Sequence, residues 1–112
     1  MKETDIVRLG HMLDAAKEIT SFVKGRSKGD VERDRILTLA LVKEIEIIGE
    51  AASKVSHEAR EQIPNIEWID VIAMRNRLVH AYFEIDEDIL WDTIIYNIPR
   101  LIEELEKLTS LK

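Results

Sequence analysis

The chain has 112 residues, 46% of them hydrophobic, and a formal net charge of −6. That length fits one domain, residues 1–112, with a core of its own, and the acidic balance disfavours generic binding of long nucleic acid by the whole surface, so any RNA contact falls to a local patch. The absence of cysteine excludes disulfides and thiolate metal sites, and no segment approaches the roughly 20 apolar residues of a membrane span, so a soluble cytoplasmic protein is expected.

Only four Gly and two Pro interrupt a composition rich in good helix formers. Thr4 or Asp5 is placed to cap a first helix whose apolar positions Ile6, Leu9, Leu13, Ala16 and Val23 keep helical spacing. Residues 24–30, with two glycines and three cations, read as an exposed loop. A second helix is expected over residues 31–55. Ile36, Leu37, Leu39, Ala40, Leu41 and Val42 cover most of its circumference, which places it centrally in a bundle or at a subunit contact. Its polar side is narrow: Lys43, Glu46, Glu50 and Lys54. Gly49 costs roughly 1 kcal/mol in a helix interior, so it predicts close approach of a neighbouring helix. Ser56 caps one further turn, ended before Pro64. A third helix is expected over residues 65–83, and a fourth from Asp86, with acids at its positive end. Pro99 inside the fourth helix predicts a kink near Ile95. The whole reads as an all-α, antiparallel four-helix up-and-down bundle with a short extra helical turn.

The chemistry concentrates in Arg75-Asn76-Arg77-Leu78-Val79-His80-Ala81-Tyr82. Arginine pairs with phosphate oxygens, and histidine moves a proton near neutral pH, so the segment suits phosphodiester chemistry. On one continuous helix, Asn76 and His80 would neighbour each other and Arg75 would share a face with Tyr82. Arg75 and His80 would then lie about 140° apart. Three arrangements would still join them: Arg75 bends over, the helix ends near His80, or the same helix of a second subunit completes the site. The two-fold dimer is the preferred reading. Each residue also has an ordinary role: His80 against a helix C-terminus, Asn76 bonding a neighbouring backbone, Tyr82 packed in the core. Two polar side chains on an apolar stripe nevertheless need partners when buried. His11, His57 and His80 lie on different segments without ligand spacing, so no metal site and no cofactor is expected.

The same segment resembles the R-x4-H-x-Y signature of HEPN-domain toxins of the HepT-like kind. Ile47-Ile48-Gly49-Glu50-Ala51 is similar to that family's I-G-E-A segment. Ile63-Pro64-Asn65-Ile66-Glu67-Trp68 is similar to its P-x-I-P-W helix entry, and Phe83-Glu84-Ile85-Asp86 to its Y-F-G-V-D turn. Trp91 and Pro99 also sit where its fourth helix carries similar residues. The chain departs at Glu67, where a second Pro is usual, and at Glu84, where the turn Gly is usual. The resemblance implies a HEPN-like homodimer and a metal-independent endoribonuclease with Arg75 and His80 catalytic and Asn76 supporting. It implies an MNT-type nucleotidyltransferase antitoxin that transfers AMP to Tyr82 and silences the toxin. The loop cations Lys24, Arg26 and Lys28, with Arg33 and Arg35 nearby, are candidates to guide RNA or are simply a solvated loop. The competing reading is a non-catalytic partner that holds nucleotide or substrate for a nucleotidyltransferase.

Overall fold

Residues 1–108 are described by a computed structural model, the Phe83 side chain excepted. Its elements are α1 (Glu3–Phe22), α2 (Lys28–Arg33), α3 (Arg35–Ser53), α4 (His57–Glu61), α5 (Trp68–Leu78), β1 (Val79–His80), β2 (Glu84–Ile85), α6 (Glu87–Asp92) and α7 (Ile98–Glu106). A π-helical turn over Thr93–Asn97 joins α6 to α7 with helical backbone at both junctions, so the three act as one fourth helix. The all-α expectation holds. α3 packs against α1, α2 and α5, while α7 packs on α1. Leu9, Met12 and Ile19 of α1 meet Leu41, Ile45 and Ile48 of α3 in a core closed by Leu78, Leu90, Ile98 and Leu105, all fully buried. Each such side chain contributes about 1.5–3 kcal/mol on burial. No helix among the described residues is long and apolar enough to cross a membrane.

Several local expectations are met. Ser56 Oγ accepts from the Ala59 amide at 3.2 Å and starts α4. Asp86 Oδ1 accepts from the Ile89 amide at 3.0 Å and starts α6. Pro99 has no amide hydrogen to give Ile95, and the wide turn over Thr93–Asn97 absorbs that loss.

Others are corrected. Neither Thr4 nor Asp5 caps α1, which begins after Lys2 without a side-chain cap. Asp5 is buried instead, and its carboxylate accepts from the Ser56 amide at 2.8 Å and the Ser56 hydroxyl at 2.7 Å. These bonds hold its pKa below the ordinary carboxylate value and tie α4 to α1. The second helix does not run unbroken from residue 31. Ser27 and Asp30 form a reciprocal capping box on α2, and Asp34 Oδ1 accepts from the Leu37 amide at 3.0 Å to start α3 anew. An Asp whose side chain bonds the backbone ahead of it favours a cap over helix continuation.

The third helix is shorter than expected at both ends, and its end matters most. After Leu78 the chain turns extended, and β1 pairs antiparallel with β2, Val79 opposite Ile85 and His80 opposite Glu84. The Asp86 amide donates to the Leu78 carbonyl at 2.8 Å and closes the hairpin onto the helix end. A helical carbonyl that would otherwise lack a partner is thereby satisfied.

Candidate functional site

The site begins with Gly49. A Cβ there would stand 3.1 Å from the Ile72 carbonyl oxygen and 3.5 Å from that of Val71. The close approach predicted from the glycine is therefore made by α5, backbone against backbone. One turn along, Arg75 Nε lies 3.6 Å from Glu46 Oε2. The pairings 49 with 72 and 46 with 75 run in opposite senses, so α5 is antiparallel to α3. Arg75 also donates from Nη1 to Asn76 Oδ1 at 3.5 Å. The guanidinium is thus held from two sides at the mouth of an open groove of about 550 Å³. Arg75 and Asn76 line it from α5, Lys43 and Glu46 from α3, and Arg8 and His11 from α1.

His80 and Tyr82 stand elsewhere. Neither lines that groove among the described residues. His80 sits on β1 with backbone φ −105° and ψ −170°, off the helix, so the expected Asn76–His80 neighbour pair on one helix is not formed. Its Nε2 lies 3.9 Å from Asp86 Oδ2, while the other oxygen of that carboxylate caps α6. Tyr82 occupies the hairpin turn at φ 59° and ψ 28°. It is the one residue other than glycine with positive φ among the described residues, and its side chain is fully exposed. The Arg75–Tyr82 shared face is likewise overturned, because the helix carrying Arg75 ends before Tyr82. Non-glycine residues in this region carry a strain of about 1 kcal/mol.

Two acids were not singled out as site residues from sequence. Glu46 was read only as part of the polar side of α3; joining that stripe to the close approach at Gly49 would have pointed it at Arg75. Asp86 was read as a cap, and its second oxygen facing His80 depends on the hairpin. The loop cations, by contrast, are largely engaged. Arg26 pairs with Asp34 at 3.3 Å, Arg33 with Asp30 at 3.0 Å, and Lys28 with Asp88 and Glu32. Chemically, the site offers a fixed guanidinium beside an amide in a groove, and an accessible imidazole facing a carboxylate on a hairpin. That set suits binding of a phosphate and movement of a proton.

A family model described as "Ribonuclease HepT-like" matches residues 12–108. A "Putative RNase" of Caldanaerobacter subterraneus subsp. tengcongensis is 36% identical over 100 residues, 89% of each chain. A "Probable ribonuclease HepT" of Thermococcus cleftensis is 32% identical over 108 residues, 96% of this chain and 98% of that one. A "Putative RNase" of Methanocaldococcus jannaschii is 30% identical over 95 residues, 85% of this chain and 87% of its own. No solved structure matches the chain significantly.

Proposed function

The chain belongs to the Ribonuclease HepT-like family, and from that premise we propose that it is a metal-independent endoribonuclease, the toxin of a cytoplasmic HEPN–MNT toxin–antitoxin pair. The observation that carries this reading is the exposure of the motif. Arg75 and His80 keep 37% and 53% of their side-chain surface, and Tyr82 is fully exposed. A polar network that only held the bundle together would be buried and bonded within itself.

In the proposed reaction His80 takes the proton of a ribose 2′-hydroxyl, and the oxygen attacks the adjacent phosphorus. Arg75 stabilises the added negative charge on the phosphorane, with Asn76 supporting the guanidinium. The 5′-oxygen leaves with a proton from the second subunit's His80, and the products are a 2′,3′-cyclic phosphate and a 5′-hydroxyl. Single-stranded or loop RNA is the substrate, since its unstacked nucleotides are open to such a site.

The second subunit answers a gap in the single chain, where Arg75 lines a groove that His80 does not. Ile36 and Ile69 support a homodimer. They are 82% and 84% exposed, and they extend the groove-side stripes of α3 and α5 at opposite ends. A two-fold contact would set Ile36 of each copy against Ile69 of the other, with the groove between. Tyr82 is the proposed acceptor of AMP from an MNT-type antitoxin. Its accessibility on the turn now supports this role, in place of a shared face with Arg75. The adduct would add negative charge beside the motif and repel RNA.

Induced expression of wild type, Arg75→Ala and His80→Ala, with RNA integrity followed, tests the reading. Growth arrest and RNA cleavage are expected from wild type alone, with rates down at least about 10³-fold in both variants and melting temperatures close to wild type. Intact RNA with wild type would instead indicate a partner that holds substrate for a nucleotidyltransferase.

A further inference from the structure

The groove beside Arg75 has a charge character opposite to that of the chain. Four cations, Arg8, Lys43, Lys54 and Arg75, line it against two carboxylates, Glu46 and Glu50, on a chain of net charge −6. The carboxylates are engaged locally: Glu46 faces Arg75 at 3.6 Å, and Glu50 pairs with Lys54 at 3.2 Å. Arg8 and Lys43 have no acidic partner within ion-pair distance among the described residues. They come from α1 and α3, so two separate helices aim uncompensated positive charge into one concave surface. The contrast with the loop after α1 is sharp, because Arg26, Lys28 and Arg33 are each neutralised by a neighbouring acid.

We propose that the groove between α1, α3 and α5 is a binding track for the phosphates of single-stranded RNA outside the scissile position, with Arg8 and Lys43 as its phosphate contacts. This rests on the ribonuclease reading for its choice of ligand. Continuity supplies the direction: a strand whose scissile phosphate meets Arg75 at the mouth has its neighbouring phosphates over Lys43 and Arg8. Ile47 and Ile72 give the groove an apolar floor on which bases can lie. Phosphates held by lysine and arginine release counterions, so such contacts register as salt dependence. His11, beside Arg8 on the same wall, adds a nitrogen able to donate to a phosphate or a ribose hydroxyl.

The test uses a 2′-O-methyl oligoribonucleotide, which lacks the attacking hydroxyl and so reports binding alone. Its affinity is measured by fluorescence anisotropy over a range of salt, for wild type, His80→Ala, Arg8→Gln/Lys43→Gln and the charge-matched control Arg26→Gln/Arg33→Gln. The groove variant is expected to bind at least tenfold more weakly. The slope of log affinity on log salt should be shallower by about 1.4, for two lost contacts on a single strand. His80→Ala and the control should keep wild-type affinity, and the groove variant should raise KM for RNA with kcat unchanged. Unaltered affinity and slope in the groove variant would overturn the proposal, as would an equal loss in the control. Competition by poly-aspartate as effective as that by RNA would assign the groove to an acidic protein instead and also overturn it. Loss of oligonucleotide binding in the groove variant, in a protein whose wild type leaves RNA intact, would uphold the track and sink the nuclease. Wild-type cleavage with unchanged KM in the groove variant would do the reverse.

Discussion

The α3–α5 pair and the Val79–Ile85 hairpin carry the two halves of the motif and are built on different terms. Arg75 stands on a helix pressed backbone to backbone against α3 at Gly49, and Glu46 and Asn76 hold its guanidinium. His80 and Tyr82 stand on two-residue strands joined by a turn with one strained residue, and both side chains project outward. The proposed charge-stabilising group is fixed by the core, whereas the proposed proton-moving group and modification target are fixed by one capping aspartate and a short turn. Damage to the helix packing beneath Arg75 should therefore cost stability as well as chemistry, and damage to the hairpin chiefly chemistry.

The largest effect is expected at Gly49. Gly49→Val places branched carbon against the Ile72 carbonyl, which is backbone and cannot rotate aside, so α5 must move. Overpacking of this kind costs about 2–3 kcal/mol, read as a lower midpoint in urea unfolding, and RNA cleavage should fall with it as Arg75 shifts. Gly49→Ala should come out near neutral, the tight contact set against a helix-propensity gain of about 1 kcal/mol. A stable, fully active Gly49→Val protein would break the claim that this contact positions Arg75.

The helical platform has its own weak point. Glu44 of α3 is buried facing Glu18 of α1, and one of its carboxylate oxygens has no hydrogen-bond partner among the described residues. Burial first, then the hydrogen bond and the negative charge of Glu18, push its pKa up to about 7 from an ordinary 4.5. A carboxyl raised on folding stabilises the native state fully below its unfolded value, and that contribution is lost as pH rises through the folded one. Glu44→Gln should thus unfold like wild type near pH 4.5 and gain about 2 kcal/mol at pH 8. Urea titrations at both values check it; a gap of equal size at both would refute the assignment.

These two positions also mark what the sequence made legible. Gly49 announced a close helix approach because an interior glycine has a local cost that needs a local return, and Ser56, Asp86 and Pro99 declared themselves for equally local reasons. Glu44 escaped, because its partner lies on another helix. The end of α5 escaped for the same cause: Val79, Ala81 and Tyr82 are compatible with continued helix, and what stops it is the Asp86 amide reaching the Leu78 carbonyl from eight residues on. With that bond went the helical placement of His80 and Tyr82. Helical geometry alone therefore implied that Arg75 and His80 stand apart in one chain, as they do, while the hairpin that carries His80 and Tyr82 was not readable.

Asp86 lets the hairpin's two duties be separated. Asp86→Ala removes the cap of α6, at a cost of about 1 kcal/mol, along with the carboxylate facing His80. Asp86→Asn keeps an equally good cap and removes only the charge. Asp86→Asn is expected to melt like wild type while RNA cleavage falls about tenfold, equivalent to roughly 1.4 kcal/mol in the transition state. Full activity in Asp86→Asn would reduce Asp86 to a cap and leave the position of His80 to the strand pairing alone.

The smallest effect belongs to Tyr82, and it bears directly on why a tyrosine stands in a left-handed turn. Its side chain is exposed, so little packing is lost on removal, whereas glycine occupies that backbone region without steric cost. Tyr82→Gly should therefore raise stability by about 0.5 kcal/mol, the relief of strain set against the greater freedom of glycine in the unfolded chain. Tyr82→Val, branched at Cβ, should lower it by about 1 kcal/mol. Tyr82→Phe should leave stability unchanged and remove the only atom of that side chain able to accept AMP. Incubation with ATP and a cognate nucleotidyltransferase should then give an adenylyl mass increase in wild type and none in Tyr82→Phe. A strained turn that glycine would relax, kept with a tyrosine that packs on little, fits a side chain retained for what reaches it from outside; a destabilised Tyr82→Gly protein would show instead that the phenol helps hold the hairpin.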